Sequence, residues 1–155
     1  MKLFVSIIFI SLSLVTTAQN LEKQLMDTID FVFEKIASLE NSEYDYELVR
    51  LNFDNCNLEL HQVPKSDSTK YDFFALWLMD LDESKMKILE QPSGEWGLIL
   101  ETSEQWKIKY VSEKDSGRKN HIVLFSYDKQ LIVDIGQAIY YSIRLCREMG
   151  RESDY

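Results

Sequence analysis

The first eighteen residues have the most clearly divided pattern of hydrophobic and polar positions in the chain. Lys2 gives a positive start, an apolar run from Leu3 to Val15 is interrupted only by serines, and small residues fill positions 16–18. This layout is typical of a secretory signal peptide, with cleavage after Ala18. The run is shorter than the ~20 apolar residues that a membrane span needs, so a transmembrane anchor is the weaker interpretation.

Residues 19–45 predict an amphipathic helix followed by a short acidic connector at 40–45. The apolar positions recur at three- and four-residue steps: Leu21, Leu25, Ile29, Val32 or Phe33, and Ile36. Asn20 is a suitable N-cap for this helix. Because the connector is short, we expect this stripe to pack on the sheet of its own chain, over residues 73–78. The alternative is that the stripe meets a partner, including a second copy of the chain.

From residue 46 to residue 127 the pattern alternates, which predicts seven antiparallel strands. The first two would form a hairpin around a two-residue turn, Asp54-Asn55. That turn predicts the following register: Phe53 with Cys56, Leu51 with Leu58, Val49 with Leu60, Arg50 with Glu59, and Asn52 with Asn57. One register thus satisfies an apolar face and a polar face together.

The five later strands are predicted from shorter patterns. They fall at 70–79, 85–90, 96–100, 106–110 and 121–127. The run 70–79 is apolar on both sides, which indicates a central strand. The strands at 96–100 and 106–110 would pair with each other and place Leu100 opposite Ile108. Ser112 to Asn120 would form a long polar loop.

A second amphipathic helix is predicted near the end of the chain. Asp128 is a suitable N-cap and Gly150 is suited to the C-terminal cap. Its apolar face is wide: Leu131, Ile132, Ile135, Ala138, Ile139, Ser142, Ile143 and Cys146. The chain therefore divides into a signal peptide at 1–18, a helix and connector at 19–45, a strand-rich domain with its helix at 46–150, and a tail at 151–155.

Composition adds a strong acidic bias to this picture. The 155 residues include 17 Lys and Arg against 26 Asp and Glu, a net charge of −9, and loss of Lys2 with the signal peptide would make it −10. So acidic a chain is repelled by nucleic acids and anionic lipids. One basic group occurs, and we interpret it as solvated charge on strands and loops: Lys107, Lys109, Lys114, Arg118 and Lys119. We expect a protein partner, no nucleic acid, and no membrane span in the mature form.

Two cysteines, Cys56 and Cys146, both fall after the signal peptide. An even number of cysteines in an exported protein favours a disulfide. In the chain-entropy model, closing a loop of about ninety residues stabilises a fold by ~4–5 kcal/mol. The alternative is a pair of buried free thiols, since cysteine is among the most buried residue types.

The order of elements, seven meandering strands and then a long amphipathic helix, resembles the pleckstrin-homology-like fold over roughly residues 46–148. The resemblance implies an α+β domain in which two sheets form a partly open barrel and the last helix closes one end. This chain has Asp54-Asn55 where the lipid-binding members carry a basic loop, and it lacks their terminal-helix tryptophan, so lipid binding is not implied. The alternative fold is an α+β roll. The chain also resembles the many short exported proteins of bacteria.

Chemistry-bearing motifs are missing from the sequence. His61 and His121 are the only histidines, and no zinc-binding spacing, nucleophile elbow or phosphate loop occurs. We therefore expect no cofactor and no enzyme activity. Tyr140, Tyr141 and Arg144 on the last helix are the candidate partner-binding residues, because Tyr and Arg are enriched at binding hot spots. Tyrosines at the edge of the core are the competing interpretation.

Together these patterns predict an exported, non-enzymatic binding domain that works in the periplasm or outside the cell. One alternative is an acidic inhibitor or immunity protein that neutralises a basic toxin or lytic enzyme, because charge steers association with such a partner. Another is a small hydrolase that uses His61 or His121.

Overall fold

The computed structural model describes residues 2–52, 56–105 and 107–150, and for 2–18 and 47–52 it describes the backbone alone. The described residues form two α-helices and eight strands: α1 (Lys2–Ala37), β1 (Tyr44–Asn52), β2 (Asn57–Pro64), β3 (Asp72–Trp77), β4 (Lys87–Glu90), β5 (Trp96–Glu101), β6 (Ile108–Val111), β7 (Ser116–Lys119), β8 (His121–Ser126) and α2 (Lys129–Glu148). Two 3-10 turns, Leu78–Asp80 and Glu83–Lys85, connect β3 to β4.

The strands form two antiparallel sheets. One has five strands in the order β1-β2-β3-β6-β7, and the other has three in the order β4-β5-β8. The α+β class with a helix at each end is therefore confirmed, and β3 is the central strand of its sheet, as predicted. The described residues form eight strands, and β3 pairs with β6 instead of β4, so the predicted seven-stranded meander is wrong. Within the described residues the two sheets do not join into a closed barrel.

The strand that the sequence did not predict is β7, which lies in the segment predicted to be a polar loop. Ser116–Lys119 has no apolar alternation to reveal it, yet it pairs with β6 over four residues. Lys119 adds a side-chain contact, because its Nζ lies 3.6 Å from the centre of the Tyr110 ring. Backbone pairing and a cation–π contact thus stabilise β7, and neither leaves a hydrophobic pattern in the sequence.

The predicted pairing of β5 with β6 is wrong. Leu100 lies opposite Ile122 on β8, while β6 pairs with β3 and β7. The chain leaves the three-stranded sheet at Thr102, whose hydroxyl is held by the carbonyl oxygens of Glu104 and Asn120 at 2.6 and 3.1 Å. Short apolar alternations match several partners equally well, so sequence register alone does not choose among them.

The first hairpin follows its predicted register in part. Asn52, Leu51 and Arg50 lie opposite Asn57, Leu58 and Glu59 as expected. A β-bulge between Leu48 and Arg50 then shifts the strand, so that Leu48 lies opposite Leu60 and the predicted pair of Val49 with Leu60 is wrong. The Asp54-Asn55 turn and the pair of Phe53 with Cys56 lie outside the described residues.

The hydrophobic core lies between the two sheets and the two helices. Helix α2 carries Ile132, Ile135, Ile139 and Ile143, all almost fully buried. They share one cluster with apolar residues from the inner faces of both sheets: Leu58, Leu60, Phe74, Leu76, Leu98, Leu100, Ile122 and Leu124. The core is therefore continuous, and α2 is the element that both sheets share.

Helix α1 packs on its own chain, as expected, but in a different place. It contacts α2 and β1 instead of the predicted strand run at 73–78. Leu25, Ile29, Val32 and Ile36 are buried, while Phe33 is 43% exposed, so Val32 is the inward residue. An apolar helix face finds most cover beside another apolar helix, and α2 offers that cover.

The predicted start of the first helix at Asn20 is wrong. Helix α1 runs through Asn20 from Lys2, because the preceding turn supplies the carbonyl partners that a cap would otherwise replace. The backbone marks no boundary at Ala18, and the signal peptide stays a prediction. Among the described residues, no helix is long and apolar enough to cross a membrane.

Polar side chains hold the edge of β8 against the first hairpin. The Phe125 N–H donates to the Tyr46 hydroxyl oxygen at 2.9 Å, and Gln62 Nε2 donates to the carbonyl oxygen of Val123 at 3.2 Å. Both Tyr46 and Gln62 are buried. These bonds satisfy backbone groups that would otherwise be unpaired at the junction of the two sheets.

The disulfide between Cys56 and Cys146 is confirmed. Its Cα atoms are 6.2 Å apart, and it joins the start of β2 to the last turns of α2. Cys56 has a positive φ of 53°, a left-handed conformation that side chains with a Cβ rarely adopt. The bridge thus holds α2 on the five-stranded sheet through a residue with a strained backbone.

We expect the helix contact to dominate stability. Leu25→Asp should lower the free energy of unfolding by several kcal/mol, because it would bury an unpaired charge at a site that is 1% exposed. Met26→Asp is the matched control at a site that is 47% exposed. Urea titration of both variants measures the difference, and equal effects would show that α1 does not pack on the body of the protein.

A second prediction concerns Tyr46. Burial raises the pKa of its phenol from 10.0 to about 12, so its contribution is present below pH 10 and is lost as the pH rises toward 12. Tyr46→Phe should cost about 1–3 kcal/mol at neutral pH, since the Phe125 N–H loses its acceptor. The stability gap between the two proteins should then shrink by about 2 kcal/mol near pH 12. A gap that stays constant in alkaline denaturation titrations would contradict this.

The strained backbone at Cys56 gives a third prediction. Cys56→Gly with Cys146→Ala should be more stable than Cys56→Ala with Cys146→Ala by about 1 kcal/mol, because glycine adopts positive φ freely. Both variants lack the bridge, so their comparison isolates the backbone. Guanidinium titration gives the two free energies, and an alanine variant of equal or greater stability would refute the interpretation.

Candidate binding cleft

An apolar cleft lies between α2 and β4. Its volume is about 350 Å³, and it is lined mainly by apolar residues from β4, β5, α2 and the residue before β4: Met86, Ile88, Leu98, Val133, Gly136 and Tyr140. Glu83, Lys87 and Gln137 complete the lining. Pockets of this size and character are where small ligands and side chains of partners usually bind.

Gly136 forms part of the cleft wall, where α2 faces Leu98 and Ile88 of the three-stranded sheet. A Cβ at this position would lie 3.4 Å from Leu98 Cδ1 and 4.0 Å from Ile88 Cδ1. The helix therefore touches the three-stranded sheet through a residue without a side chain. Val133 and Tyr140, one turn to either side of Gly136 on the same helix, also line the cleft.

The edge of β4 beside the cleft has unused backbone groups. The Gln91 N–H donates to the Glu95 carbonyl oxygen at 2.7 Å, so residues 91 and 95 form a hydrogen-bonded pair. In an antiparallel ladder, hydrogen-bonded and non-hydrogen-bonded pairs alternate along the strand, so this pair fixes the pattern along β4. Lys87 and Leu89 then bond to β5, while Ile88 and Glu90 point their N–H and C=O groups outward. Among the described residues, no hydrogen bond reaches those outward groups.

The opposite edge of the same sheet differs, because Tyr46 and Gln62 already bond to β8 there. Of the two edges of the three-stranded sheet, β4 is therefore the one open to a further strand. Its short length and charged residues limit uncontrolled pairing. An open strand edge and an apolar cleft lie side by side.

The candidate partner-binding residues of α2 occupy two different surfaces. Tyr140 lines the cleft and is 43% exposed. Tyr141 is equally exposed, but its hydroxyl lies 3.0 Å from Gln24 Oε1 on α1, so it ties the two helices together. Arg144 is exposed. Sequence pattern could not separate the two tyrosines, because their division depends on where α1 packs.

The two histidines lie in different sheets. His61 on β2 packs its ring 4.3 Å from that of Tyr71 and 5.6 Å from that of Phe73. His121 is exposed on β8, opposite Glu101. The structure does not bring them together, and no group of three or more potential metal ligands occurs in the described part of the chain.

The acidic turn at 80–84 is organised by its own hydrogen bonds. Asp82 Oδ1 accepts from the Ser84 N–H at 3.0 Å and from its hydroxyl at 2.6 Å. The bond from the Ser84 hydroxyl is the largest influence that lowers the pKa of Asp82. Lys85 bridges Asp82 and Glu101 at 3.8 and 3.3 Å. The Asp82 carboxylate is therefore engaged in holding the turn.

A second pocket, of about 240 Å³, is polar and surrounds Glu95. This buried carboxylate accepts from the Ser42 N–H at 2.6 Å and from the Ser93 hydroxyl at 2.8 Å. The Ser42 N–H is the main reason that the pKa of Glu95 is lowered. Because Glu95 fastens the connector after α1 to the turn between β4 and β5, its role is structural.

Comparison with protein-family models, with curated proteins and with solved structures gives no match to this chain. Function therefore has to be inferred from the cleft and the surfaces of the protein itself.

Proposed function

We propose that this chain is an exported peptide-binding domain that holds an extended segment of a partner protein against β4. One apolar side chain of that segment would enter the cleft between α2 and β4. The observation that carries the proposal is the position of the cleft directly beside an open strand edge. Strand addition of this kind takes affinity from backbone hydrogen bonds and specificity from side-chain pockets.

The geometry of β4 assigns the bound residue. A residue opposite Ile88 in an added antiparallel strand would exchange hydrogen bonds with its outward N–H and C=O groups. Paired residues in a ladder point their side chains to the same face, so this residue would point inward beside Ile88. That face opens into the cleft, next to Met86 and Tyr140. An apolar side chain is therefore favoured at this position.

Charge at the cleft suggests what flanks that residue. Glu83 is paired with Arg147 at 3.0 Å, while Lys87 is exposed and has no ion pair among the described residues. The neighbours of the inserted residue would point outward, on the same side as Lys87. An acidic or acceptor-bearing neighbour is therefore favoured, as complementary charge guides partner choice.

Export and the fold class support the same proposal. A buried disulfide persists in oxidising compartments, which agrees with the predicted signal peptide and a location in the periplasm or outside the cell. The resemblance of the element order, strands followed by a helix, to the pleckstrin-homology-like fold is part of this proposal. No catalytic step is assigned to the domain.

A peptide selection tests this function. Random peptides displayed on phage should yield sequences with one recurrent apolar residue, whose affinity is then measured by fluorescence anisotropy. Tyr140→Ala should weaken binding at least tenfold, because the residue lines the cleft. Glu90→Pro should weaken it several-fold, because it removes an outward N–H and leaves the bonds to β5 intact.

Tyr141→Ala is the matched control, since this tyrosine is exposed to the same extent but lies on the α1 side of the helix. It should leave peptide affinity unchanged. The proposal fails if no sequence is enriched, or if the affinity of enriched peptides does not respond to Tyr140→Ala.

A further inference from the structure

The interior of helix α2 contains a glycine, Gly136. The helix runs from Lys129 to Glu148, so Gly136 lies well away from both of its ends. Apart from proline, glycine is the least favourable residue in a helix interior, because it loses the most backbone freedom when it is fixed there. A glycine at such a position therefore needs a local reason.

The usual structural reasons for a glycine do not apply at this position. Its backbone is helical, and the glycines with positive φ among the described residues are Gly94 and Gly150. A Cβ at position 136 would have Leu98 Cδ1 and Cδ2 at 3.4 and 3.8 Å and Ile88 Cδ1 at 4.0 Å as its nearest neighbours. These are ordinary van der Waals distances. Neither the backbone conformation nor the packing of α2 on the sheet excludes alanine.

The atoms nearest to such a Cβ all belong to the lining of the cleft. Leu98 and Ile88 line it from the sheet, and Gly136 lines it from the helix. A methyl group on residue 136 would therefore fill part of the cleft floor. Glycine is used where a backbone approaches a ligand closely. Of the reasons for a glycine, room for a ligand is the one that this position leaves.

The size and lining of the cleft indicate what that room holds. An apolar cavity of about 150 Å³ is large enough to bind benzene, whereas the cleft has about 350 Å³. An aromatic ring would fill it, while a small aliphatic side chain would leave most of the walls without contact. Met86 supplies a polarizable sulfur and Tyr140 a partly exposed ring, and both groups pack favourably on aromatic rings.

The charged groups near the cleft leave its floor apolar. Glu83 and Lys87 are the charged residues of the lining, and Glu83 lies 3.0 Å from Arg147, which balances its charge. Lys87 alternates with Ile88 along β4, so its side chain leaves the strand on the other face. Arg144 is exposed and lies one turn farther along α2 than the cleft. An uncharged ring thus meets apolar groups at the floor.

We propose that Gly136 sets the specificity of the cleft and that the side chain bound there is aromatic, Phe or Trp. This inference rests on the proposed function, because the ring belongs to the residue opposite Ile88 in the added strand. The ring lies over the Cα of Gly136, between Leu98 of the sheet and Tyr140 of the helix. An alanine at position 136 would hold the ring out of this place.

A peptide series tests this specificity. One peptide from the phage selection is synthesised with Trp, Phe, Leu or Val at its recurrent apolar position, and each form is titrated by fluorescence anisotropy. Wild type should bind the aromatic forms about tenfold or more tightly than the Val form. Gly136→Ala should remove this preference, because the added methyl group takes space that the ring needs and that the smaller side chain leaves empty.

The melting temperature separates this role from a structural one. Gly136→Ala should melt about 2–4 °C above wild type, because alanine favours the helix and the packing does not oppose it. Gly117→Ala on β7 is the matched control, since a Cβ there would meet no atom within 4 Å. It should leave the affinity for every form of the peptide unchanged.

The possible outcomes distinguish this inference from the function on which it rests. Peptides that bind wild type without a preference for an aromatic residue overturn the inference and leave the function in place. A Gly136→Ala protein that keeps the wild-type preference does the same. So does one that melts below wild type, because the glycine would then be needed for packing. If no form of the peptide binds wild type, the proposed function is overturned and the inference with it.

Discussion

The burial of one helix face organises this protein. Ile132, Ile135, Ile139 and Ile143 of α2 are out of contact with water, and they pack against α1 and against residues from the inner faces of both sheets. Two small sheets that share no strand would each be marginal alone, because each buries only one face. Their common contact with α2 makes one core of them. The disulfide at Cys146 fixes the end of this helix to the five-stranded sheet.

Buried polar side chains fix the relative position of the two sheets, which apolar burial alone does not determine. Apolar contacts are not directional, so they permit many relative positions of the sheets. Tyr46 and Gln62 bond to the backbone of β8, and Glu95 holds the connector after α1. Because these groups are buried, any other arrangement would leave them unpaired at considerable cost. They select one arrangement from those that the core allows.

The same architecture leaves a cleft beside an open strand edge. Gly136 of α2 faces Leu98 of β5 at one wall of this cleft, and β4 forms the neighbouring wall. The five-stranded sheet encloses the core with one face, and the alternation of β3 puts the half-buried Phe73 and Trp77 on the other.

The sequence by itself predicts the local elements of this protein, but it does not predict how they assemble. Periodicity is a local property, so it predicted both helices, the Asp128 cap, the start of the first hairpin and the central place of β3. The even number of cysteines, together with the predicted signal peptide, predicted the disulfide. Contacts between distant segments decided which strands pair with β5 and β6, whether β7 forms, and where α1 packs. The apolar pattern of the sequence is compatible with several such arrangements, so it did not predict them. Those contacts also place Tyr140 and Tyr141 on different surfaces, because the packing of α1 decides which face of α2 remains open.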